Sequence, residues 1–583
     1  MIRYPYLKEQ PSTRQVIDTF KGYNHNLRIG SGEFYEMKNL TSDDYPVLSV
    51  RKRRGLLDQS PYGCKGMYYV PGTGVFYVTL TEGQDVLYLK DCAGNIKYIT
   101  DLQNTHDKKF ALIGTYLVIA PDMVVVDIER LTSWKLGETW TVNNGDVDIQ
   151  MCDSEGNIYE NVIYDSIPPS AAGYHQLWMC TAAGDRGLRQ YEPLTSQWVS
   201  IATTYLRING LGDHRFEAGD GIRISGLSGA ATHLNGSYVI QLISHGYIVI
   251  PGLIDRHFFQ NCEESPITIE IEVPRLDFIL ECGNRLWGCK KDANEIYACK
   301  LGDIRNWNCF QGLSTDSWVG SVGTPGDFTG AAVQNGCPVF YKENCKHKVW
   351  PSATGAHQIT SVDCEGVKMD CDNSVAVLDG TVFYKSPLGI CADDGGGIIR
   401  IGEKLGDTLR YNYAFGAIFD GKYYLSVLDR EKRHLLVYDI GKRLWHMEDA
   451  QSGKYLVSGD GSLYTISSNG LVDLTGNTGT PEEKVSWMAE TGDLGLELPE
   501  QKYISRLTLR LMLEPGATLE VYAQYDREEV WVKLGQVYGT DLRSFSLPVR
   551  PRRCDQLRLK LQGTGMCKLY SITKTLEKGS ELP

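Results

Sequence analysis

Short runs of alternating apolar and polar residues recur along the chain, and turn residues separate them. Because successive side chains of a β-strand point to opposite faces, this alternation predicts strands, and the Asp-Gly and Asn-containing turns predict hairpins between them. The strand-turn-strand units repeat at roughly 30 to 45 residues, a spacing typical of propeller blades. They occupy residues 64–102, 110–134, 278–307, 339–350, 376–402, 417–448 and 455–474. We therefore predict an all-β protein with a β-propeller of six or seven blades.

Two regions depart from this blade pattern. Residues 138–274 contain strand patterns of their own, which predict an inserted β-rich domain with the form of a small barrel or sandwich. Residues 486–583 contain cleanly alternating strands and predict a C-terminal β-sandwich, with Leu507, Leu509, Leu511 and Leu513 on one face. The two remaining ranges are residues 1–137, an N-terminal arm with the first blades, and residues 275–485, the other blades.

The length and composition agree with several β domains. The chain has 583 residues, which exceeds one ordinary domain, and its 61 glycines and 34 tyrosines are typical of short strands joined by tight turns. No apolar run approaches the roughly 20 residues of a membrane-spanning helix. Residues 1–10 lack the apolar core of a signal peptide. We therefore expect a protein without a membrane segment that folds in the cytoplasm.

The sixteen cysteines are scattered and form no CxxC pair. Cys289, Cys299 and Cys309 recur every ten residues, but structural zinc sites are normally built from two close pairs of ligands. We interpret the cysteines as free thiols buried in strands, and we predict neither a metal nor a cofactor.

Motifs of known catalytic chemistry are missing from the sequence. There is no GxSxG elbow, no HExxH zinc motif and no P-loop. A glycosidase would need two carboxylates at a fixed separation near the propeller channel. Several acidic residues are available for that role, but the sequence does not pair any two of them: Asp277, Glu281, Asp327, Asp363 and Asp420. We therefore predict no catalytic residue and no enzyme activity.

Three segments resemble the β-propeller proteins of bacteriophage tails. Residues 32–55, GEFYEMKNLTSDDYPVLSVRKRRG, are similar to the segment that marks the start of the propeller in that family. Residues 277–307 contain the NRLWG strand and its following hairpin, and residues 550–582 resemble the run that closes the family's terminal sandwich. The resemblance implies a structural protein of the virion tail, in the nozzle or hub of a short-tailed phage, assembled in the host cytoplasm.

The same resemblance implies partners. Such proteins form a homo-oligomeric ring, usually a hexamer, around the DNA exit channel, and they contact the adaptor and portal complex and the tail fibres. The charge fits this role. The net charge is −13, yet residues 499–583 carry 14 Lys and Arg against 10 Asp and Glu, a net +4, so the rest of the chain carries −17. Because an acidic body binds phosphates weakly, DNA would pass it without sequence-specific binding.

Two clusters of arginine are candidate interface residues, since a cation on an acidic body suits an acidic partner. The first cluster is predicted to contact a neighbouring blade or a second subunit. For the second, a subunit or adaptor contact and a solvated, charge-protected edge strand are both open. The candidates are Arg51, Arg53 and Arg54 in the first cluster and Arg550, Arg552 and Arg553 in the second.

Two other functional hypotheses remain open at this point. Tryptophans and Asp-rich blade tips are compatible with a carbohydrate-binding or glycan-degrading propeller that acts as a receptor-binding protein. A cytosolic kelch-like scaffold is the third hypothesis.

Overall fold

Seven propeller blades, each built on four antiparallel strands, dominate the computed structural model, which describes residues 12–59, 63–406, 411–429, 432–449, 453–496, 501–549 and 552–578. The prediction of an all-β propeller is confirmed, and the number of blades is seven. Residues 1–10, which bear on the signal peptide, and Arg550 lie outside the described residues. The described residues contain no helix with the length and apolarity of a membrane span.

Blades 1 to 6 are simple meanders of strands in chain order, and blade 7 takes its fourth strand from the N-terminal part of the chain. Blade 1 comprises Gly66–Val70, Gly74–Thr81, Gln84–Asp91 and Ile96–Leu102; blade 2 comprises Lys109–Ile113, Tyr116–Ala120, Val124–Asp127 and Thr132–Lys135. Blade 3 comprises Phe278–Glu281, Leu286–Cys289, Glu295–Ala298 and Trp318–Ser321; blade 4 comprises Gly330–Gln334, Cys337–Lys342, Cys345–Trp350 and Gln358–Asp363. Blade 5 comprises Ala376–Leu378, Thr381–Lys385, Ile390–Asp393 and Ile398–Arg400; blade 6 comprises Tyr411–Phe419, Lys422–Asp429, Lys432–Asp439 and Leu444–Met447. Blade 7 comprises Lys454–Gly459, Ser462–Ser467 and Gly470–Asp473, and its fourth strand is Gly55–Asp58.

The blades close into a ring. The first strand of every blade contacts the first strand of the next blade, and the first strand of blade 7 contacts that of blade 1. Radial stacking of this kind buries both faces of each blade, which a single four-stranded sheet cannot do alone. The alternating apolar residues of the sequence are thereby placed between neighbouring blades.

A strand from the N-terminal part of the chain completes the ring. Gly55–Asp58 pairs antiparallel with Gly470–Asp473 on one edge and with Thr480–Pro481 on the other. The approach is close at Gly470, where φ is +110° and a Cβ atom would lie 1.9 Å from the carbonyl oxygen of Asp58. Only glycine fits such an approach. The two ends of the propeller are therefore joined by backbone hydrogen bonds.

The insertion between blades 2 and 3 folds as three sheets around a common core. The first contains Thr139–Val142, Ile267–Glu270, Gly221–Ser225 and Gly236–Val239; the second contains Leu242–Ser244, Tyr247–Pro251, Tyr205–Asn209, Asp146–Cys152 and Phe258–Asn261; the third contains Ile163–Asp165, Leu177–Cys180, Gly187–Glu192 and Gln197–Ser200. A 3₁₀ turn, Gly229–Leu234, packs into this core. Asp220 of the insertion accepts a hydrogen bond from Arg305 at 3.1 Å, which ties the insertion to blade 3.

The C-terminal strands form one large sheet with the N-terminal arm. The C-terminal strands are Ser486–Thr491, Lys502–Tyr525, Val532–Leu547, Leu557–Thr564 and Cys567–Lys578; the arm contributes Ser12–Ile17, Gly22–Tyr23, Glu33–Lys38, Leu40–Thr41 and Leu48–Val50. The sheet continues into blade 6, where Tyr23 pairs with Trp445. The four leucines of alternating register, from Leu507 to Leu513, are buried in the core of this sheet.

One local prediction needs correction. Residues 32–55 resemble the segment that marks the start of a propeller, but they form three strands of the C-terminal sheet and only the first residue of the closing strand. The physical reason is burial: Phe34, Met37, Leu48 and Val50 all lie in the core that the C-terminal strands share. Their apolar surface is removed from water only when the arm packs there.

The cysteines lie where their pattern suggested. All sixteen are free thiols, and fourteen of them are buried, with Cys92 exposed and Cys364 half-buried. Burial raises the pKa of most of these thiols, for example that of Cys567 to about 12. Buried thiols of this kind are inert packing groups rather than nucleophiles.

Candidate functional site

The first arginine cluster lies where the chain crosses from the C-terminal sheet to the propeller. Arg51 and Arg54 follow the strand Leu48–Val50 and precede the closing strand Gly55–Asp58. Three acidic side chains face them. Glu448 and Asp449 follow the last strand of blade 6, and Glu482 follows the strand that flanks the closing strand. We name these two arginines and three carboxylates the closure cluster.

The geometry of the closure cluster is that of a built ion-pair network. Arg51 contacts Glu482 with two nitrogens, at 2.7 and 3.1 Å. Arg54 contacts Glu448 at 2.8 Å and Asp449 at 2.7 Å. Bidentate arginine–carboxylate pairs combine charge with fixed geometry and are the strongest hydrogen-bonded pairs that proteins use. The network therefore fixes the closing strand relative to both blade 6 and the C-terminal sheet.

Because both arginines are buried, their charged state depends on the carboxylates that contact them. Arg51 is 4% exposed and Arg54 is 3% exposed. Burial alone would lower the pKa of Arg54, but the carboxylates of Glu448 and Asp449 outweigh it and raise that pKa. Burial alone would raise the pKa of Glu482, but the hydrogen bonds from Arg51 and from the Arg54 amide outweigh it and hold that pKa below its usual range. The folded state thus favours the ionised forms of both.

The remaining predicted interface residues are more exposed. Arg53 pairs with Glu514 at 2.8 Å, and its side chain is 41% exposed. Arg552 pairs with Glu528 and lies over the ring of Tyr525 at 5.2 Å, while Arg553 is exposed. Arg51 and Arg54 are bound within the chain. The carboxylates that bind Arg54 follow the last strand of blade 6, and both guanidinium groups are buried.

Acid should weaken the closure cluster. Because the pKa of Glu482 is lower in the folded than in the unfolded chain, its contribution to stability is complete above the unfolded pKa, near 4.5, and is lost as the pH falls through the folded value. We expect the melting temperature of the wild-type protein to fall more steeply between pH 5 and pH 3 than that of Glu482→Gln. Equal slopes in differential scanning calorimetry would contradict this role for Glu482.

A second candidate site is the mouth of the propeller channel. It is a cavity of about 580 Å³ at one end of the first strands, and five blades contribute to it. Its charged and aromatic lining comprises Lys65, His106, Asp107, Lys109, Asp277, Phe278, Lys291, Asp370, Asp372, Tyr413 and Phe415. Of the five carboxylates considered for a glycosidase, only Asp277 lies here.

Ion pairs between blades cross the channel mouth. Lys109 of blade 2 pairs with Asp372 before blade 5 and donates to Asn373 at 2.5 Å. Lys291 of blade 3 lies 3.5 Å from Asp370. The opposite charges largely neutralise each other, and no group of three or more metal-ligating side chains is present among the described residues. The mouth is therefore a cross-linked polar cavity rather than an open pore.

The sequence did not reveal the partners in either site. The acidic pair Glu448-Asp449 directly follows a strand rich in large apolar residues, which is a recognisable signal for a buried charge. Nothing in the local pattern identifies Arg54, almost four hundred positions earlier, as its partner. Asp372 lies in a short 3₁₀ turn, Asp372–Ser374, and had no pattern that distinguished it from an ordinary turn residue.

Comparisons with known proteins give no family for this chain. No family model matches it, and no curated protein matches it. Among solved structures, PorZ of the type-IX secretion system of Porphyromonas gingivalis is 10% identical, with 83% of this chain and 76% of that chain covered and a TM-score of 0.25. The endosialidase of phage phi92 is 10% identical, with 77% and 69% covered and a TM-score of 0.24. An exo-β-1,3-galactanase from Phanerochaete chrysosporium is 9% identical, with 51% and 94% covered and a TM-score of 0.20. At these scores the likenesses carry no functional argument, and the fold assignment rests on the sheet topology.

Proposed function

We propose that this chain is a structural subunit of a bacteriophage tail, which assembles as a ring around the DNA exit channel and helps to retain and eject the genome. The observation that carries the proposal is the pairing of two of the phage-like segments. Leu48–Val50 pairs with Cys567–Lys578, and Lys568 donates to Asp44 at 2.6 Å across 524 positions of sequence. Segments that resemble one family at both ends of the chain therefore belong to one structural unit.

The structure of the channel mouth limits where DNA could pass in the proposed assembly. The major groove of B-DNA alone is about 12 Å wide. The ion pairs that join blades 2 and 3 to the segment before blade 5 cross the mouth and would block such a duplex. In the proposed assembly the DNA therefore runs between subunits, past an acidic surface, and the propeller serves as a rigid wall.

Assembly is the test of this proposal. The purified protein, mixed with its portal and adaptor proteins, is expected to form rings with a central opening in cryo-electron microscopy. A strict monomer that never joins virions would refute the tail role.

The second arginine cluster provides a sharper version of the test. Charge reversal at Arg552 and Arg553 together is expected to reduce ring formation at least tenfold, with an unchanged melting temperature, if this surface binds an acidic partner. Arg543→Glu is the matched control, because Arg543 is another exposed arginine of the C-terminal sheet. Normal assembly of the double variant, measured by analytical ultracentrifugation, would show that these arginines are solvent-exposed and bind no partner.

A glycan-binding role is the second candidate, and the channel mouth is the observation that favours it. Asp107, Asp277, Asp370 and Asp372 meet there beside Tyr413, a combination of carboxylates and an aromatic ring that suits a saccharide. A glycan array tests for glycan binding, and an assay on host polysaccharide tests for hydrolysis. Binding that Asp277→Asn abolishes would support this role, and the absence of both binding and turnover would remove it.

A further inference from the structure

A cavity of about 600 Å³ lies beside blade 5, and none of its described lining residues belongs to the channel mouth. One wall is the turn 386–389 that joins the second and third strands of the blade. Another wall is the 3₁₀ turn Glu403–Leu405, and the start of blade 6 at Tyr411 and Asn412 completes it. The 3₁₀ turn is held in place by the N-terminal arm, since the His25 amide donates to the Lys404 carbonyl at 2.7 Å. The cavity is thus bounded by three separate parts of the fold.

Two lysines face this cavity without a carboxylate partner. Lys385 is 4% exposed, and its ammonium group donates to the carbonyl oxygen of Ser386. Lys368 donates to the carbonyl oxygen of Tyr411 at 3.1 Å and contacts Asn412 at 3.4 Å. Within the ranges that the structure describes, neither ammonium group forms an ion pair with an acidic side chain.

Two other buried lysines, Lys108 and Lys346, have a carboxylate partner, whereas Lys342 is buried against the Asn294 side chain and the Thr324 carbonyl. Lys108 pairs with Asp122 at 2.7 Å, and Lys346 pairs with Asp393 at 2.6 Å. A buried cation is costly unless a counter-charge accompanies it. Burial is the main cause that lowers the pKa of Lys385; Cys371 opposes it, Lys368 lowers the pKa further, and Cys391 and Glu365 raise it again, but the net shift is downward. An external anion would supply the missing charge.

A third cation lies at the rim. Arg400 is half-exposed and is oriented by Glu365, which accepts from its Nε atom at 2.8 Å. Its two terminal nitrogens make no hydrogen bond to the described residues, so they are available to a ligand. Glu403 is the one acidic side chain among the described lining residues, and it is exposed at the rim.

We propose that this cavity binds a phosphate-bearing small molecule of about the size of a hexose phosphate. Lys385 and Lys368 would contact the phosphate oxygens as point charges, and Arg400 would close over them from the rim with its planar donors. The remaining volume, which Pro387, Leu388 and Ile390 border, would hold the rest of the ligand. This site is independent of the proposed tail role.

Isothermal titration calorimetry at low salt tests the site with inorganic phosphate, a hexose 6-phosphate, glucuronate and glucose as probes. The wild-type protein is expected to bind the two phosphates saturably and the other two at least tenfold more weakly. Lys385→Met and Arg400→Gln are each expected to weaken hexose phosphate binding at least tenfold. Lys290→Met, at an exposed lysine of blade 3, is the control and should bind like the wild type.

Circular dichroism establishes that each variant is folded before it is titrated. Arg400 lies at the rim of the cavity, so Arg400→Gln still tests the proposal if Lys385→Met does not fold. The absence of saturable phosphate binding to the wild type would overturn the proposal. Wild-type affinity in a folded Lys385→Met or Arg400→Gln variant, or equal affinity for glucuronate, would overturn it as well.

Discussion

Replacement of Arg54 by methionine is expected to lower the free energy of unfolding by about 3–5 kcal/mol at pH 7. Methionine retains most of the apolar length of the side chain, but it removes the guanidinium that hydrogen-bonds both Glu448 and Asp449, and Arg51 remains near them only at 3.9 and 3.8 Å. Loss of one partner from a buried ion pair is costly because the remaining charge stays out of water. Urea unfolding, followed by tryptophan fluorescence, measures the loss without the salt screening that guanidinium would add.

Arg53→Met is the matched control for this experiment. Arg53 is the adjacent residue and makes a single ion pair at a partly exposed position, so its replacement should cost less than about 1 kcal/mol. Equal losses for the two variants would contradict the role of the closure cluster.

Replacement of Phe34 by alanine is expected to destabilise the C-terminal sheet by about 3–5 kcal/mol. Phe34 is 1% exposed and packs in the same core as Trp487, Leu507 and Leu561. The truncation removes apolar contacts and leaves a cavity that the surrounding strands fill only in part. Hydrogen exchange followed by mass spectrometry should show faster exchange in Cys567–Lys578, although that strand lies more than five hundred residues away in sequence.

Leu27→Ala is the control within the same arm. Leu27 is 93% exposed, so its truncation should change the stability by no more than about 0.5 kcal/mol. If Phe34→Ala left the exchange of Cys567–Lys578 unchanged, the arm would not contribute to the C-terminal core.

The local pattern was sufficient for the class of the fold and for most strands of the blades. The alternation of Leu507, Leu509, Leu511 and Leu513 predicted one buried face, and all four side chains are buried. The hairpin turns at Asp420-Gly421 and Asp460-Gly461 also join paired strands, Tyr411–Phe419 with Lys422–Asp429 and Lys454–Gly459 with Ser462–Ser467. These features are local, since a strand's two faces and a tight turn depend on residues that are close in sequence.

Long-range pairing could not be predicted in the same way. Residues 32–55 contain alternating apolar residues, but that pattern does not specify which sheet receives them. Gly55–Asp58 pairs with Gly470–Asp473, and Leu48–Val50 pairs with Cys567–Lys578. A short apolar strand can pair with the edge of blade 7 or with the edge of the C-terminal sheet. Which edge it pairs with depends on how the whole chain folds.

The sequence by itself determined that this protein is built of short strands, that six or seven blade units repeat, and that no familiar catalytic motif is present. Only the tertiary structure decided how those strands meet. It buried Arg51 and Arg54 against carboxylates of distant segments, and it left Lys385 facing a cavity without one. The reason is physical: apolar periodicity is a property of neighbours in sequence, whereas the environment of a charge depends on groups brought together in space.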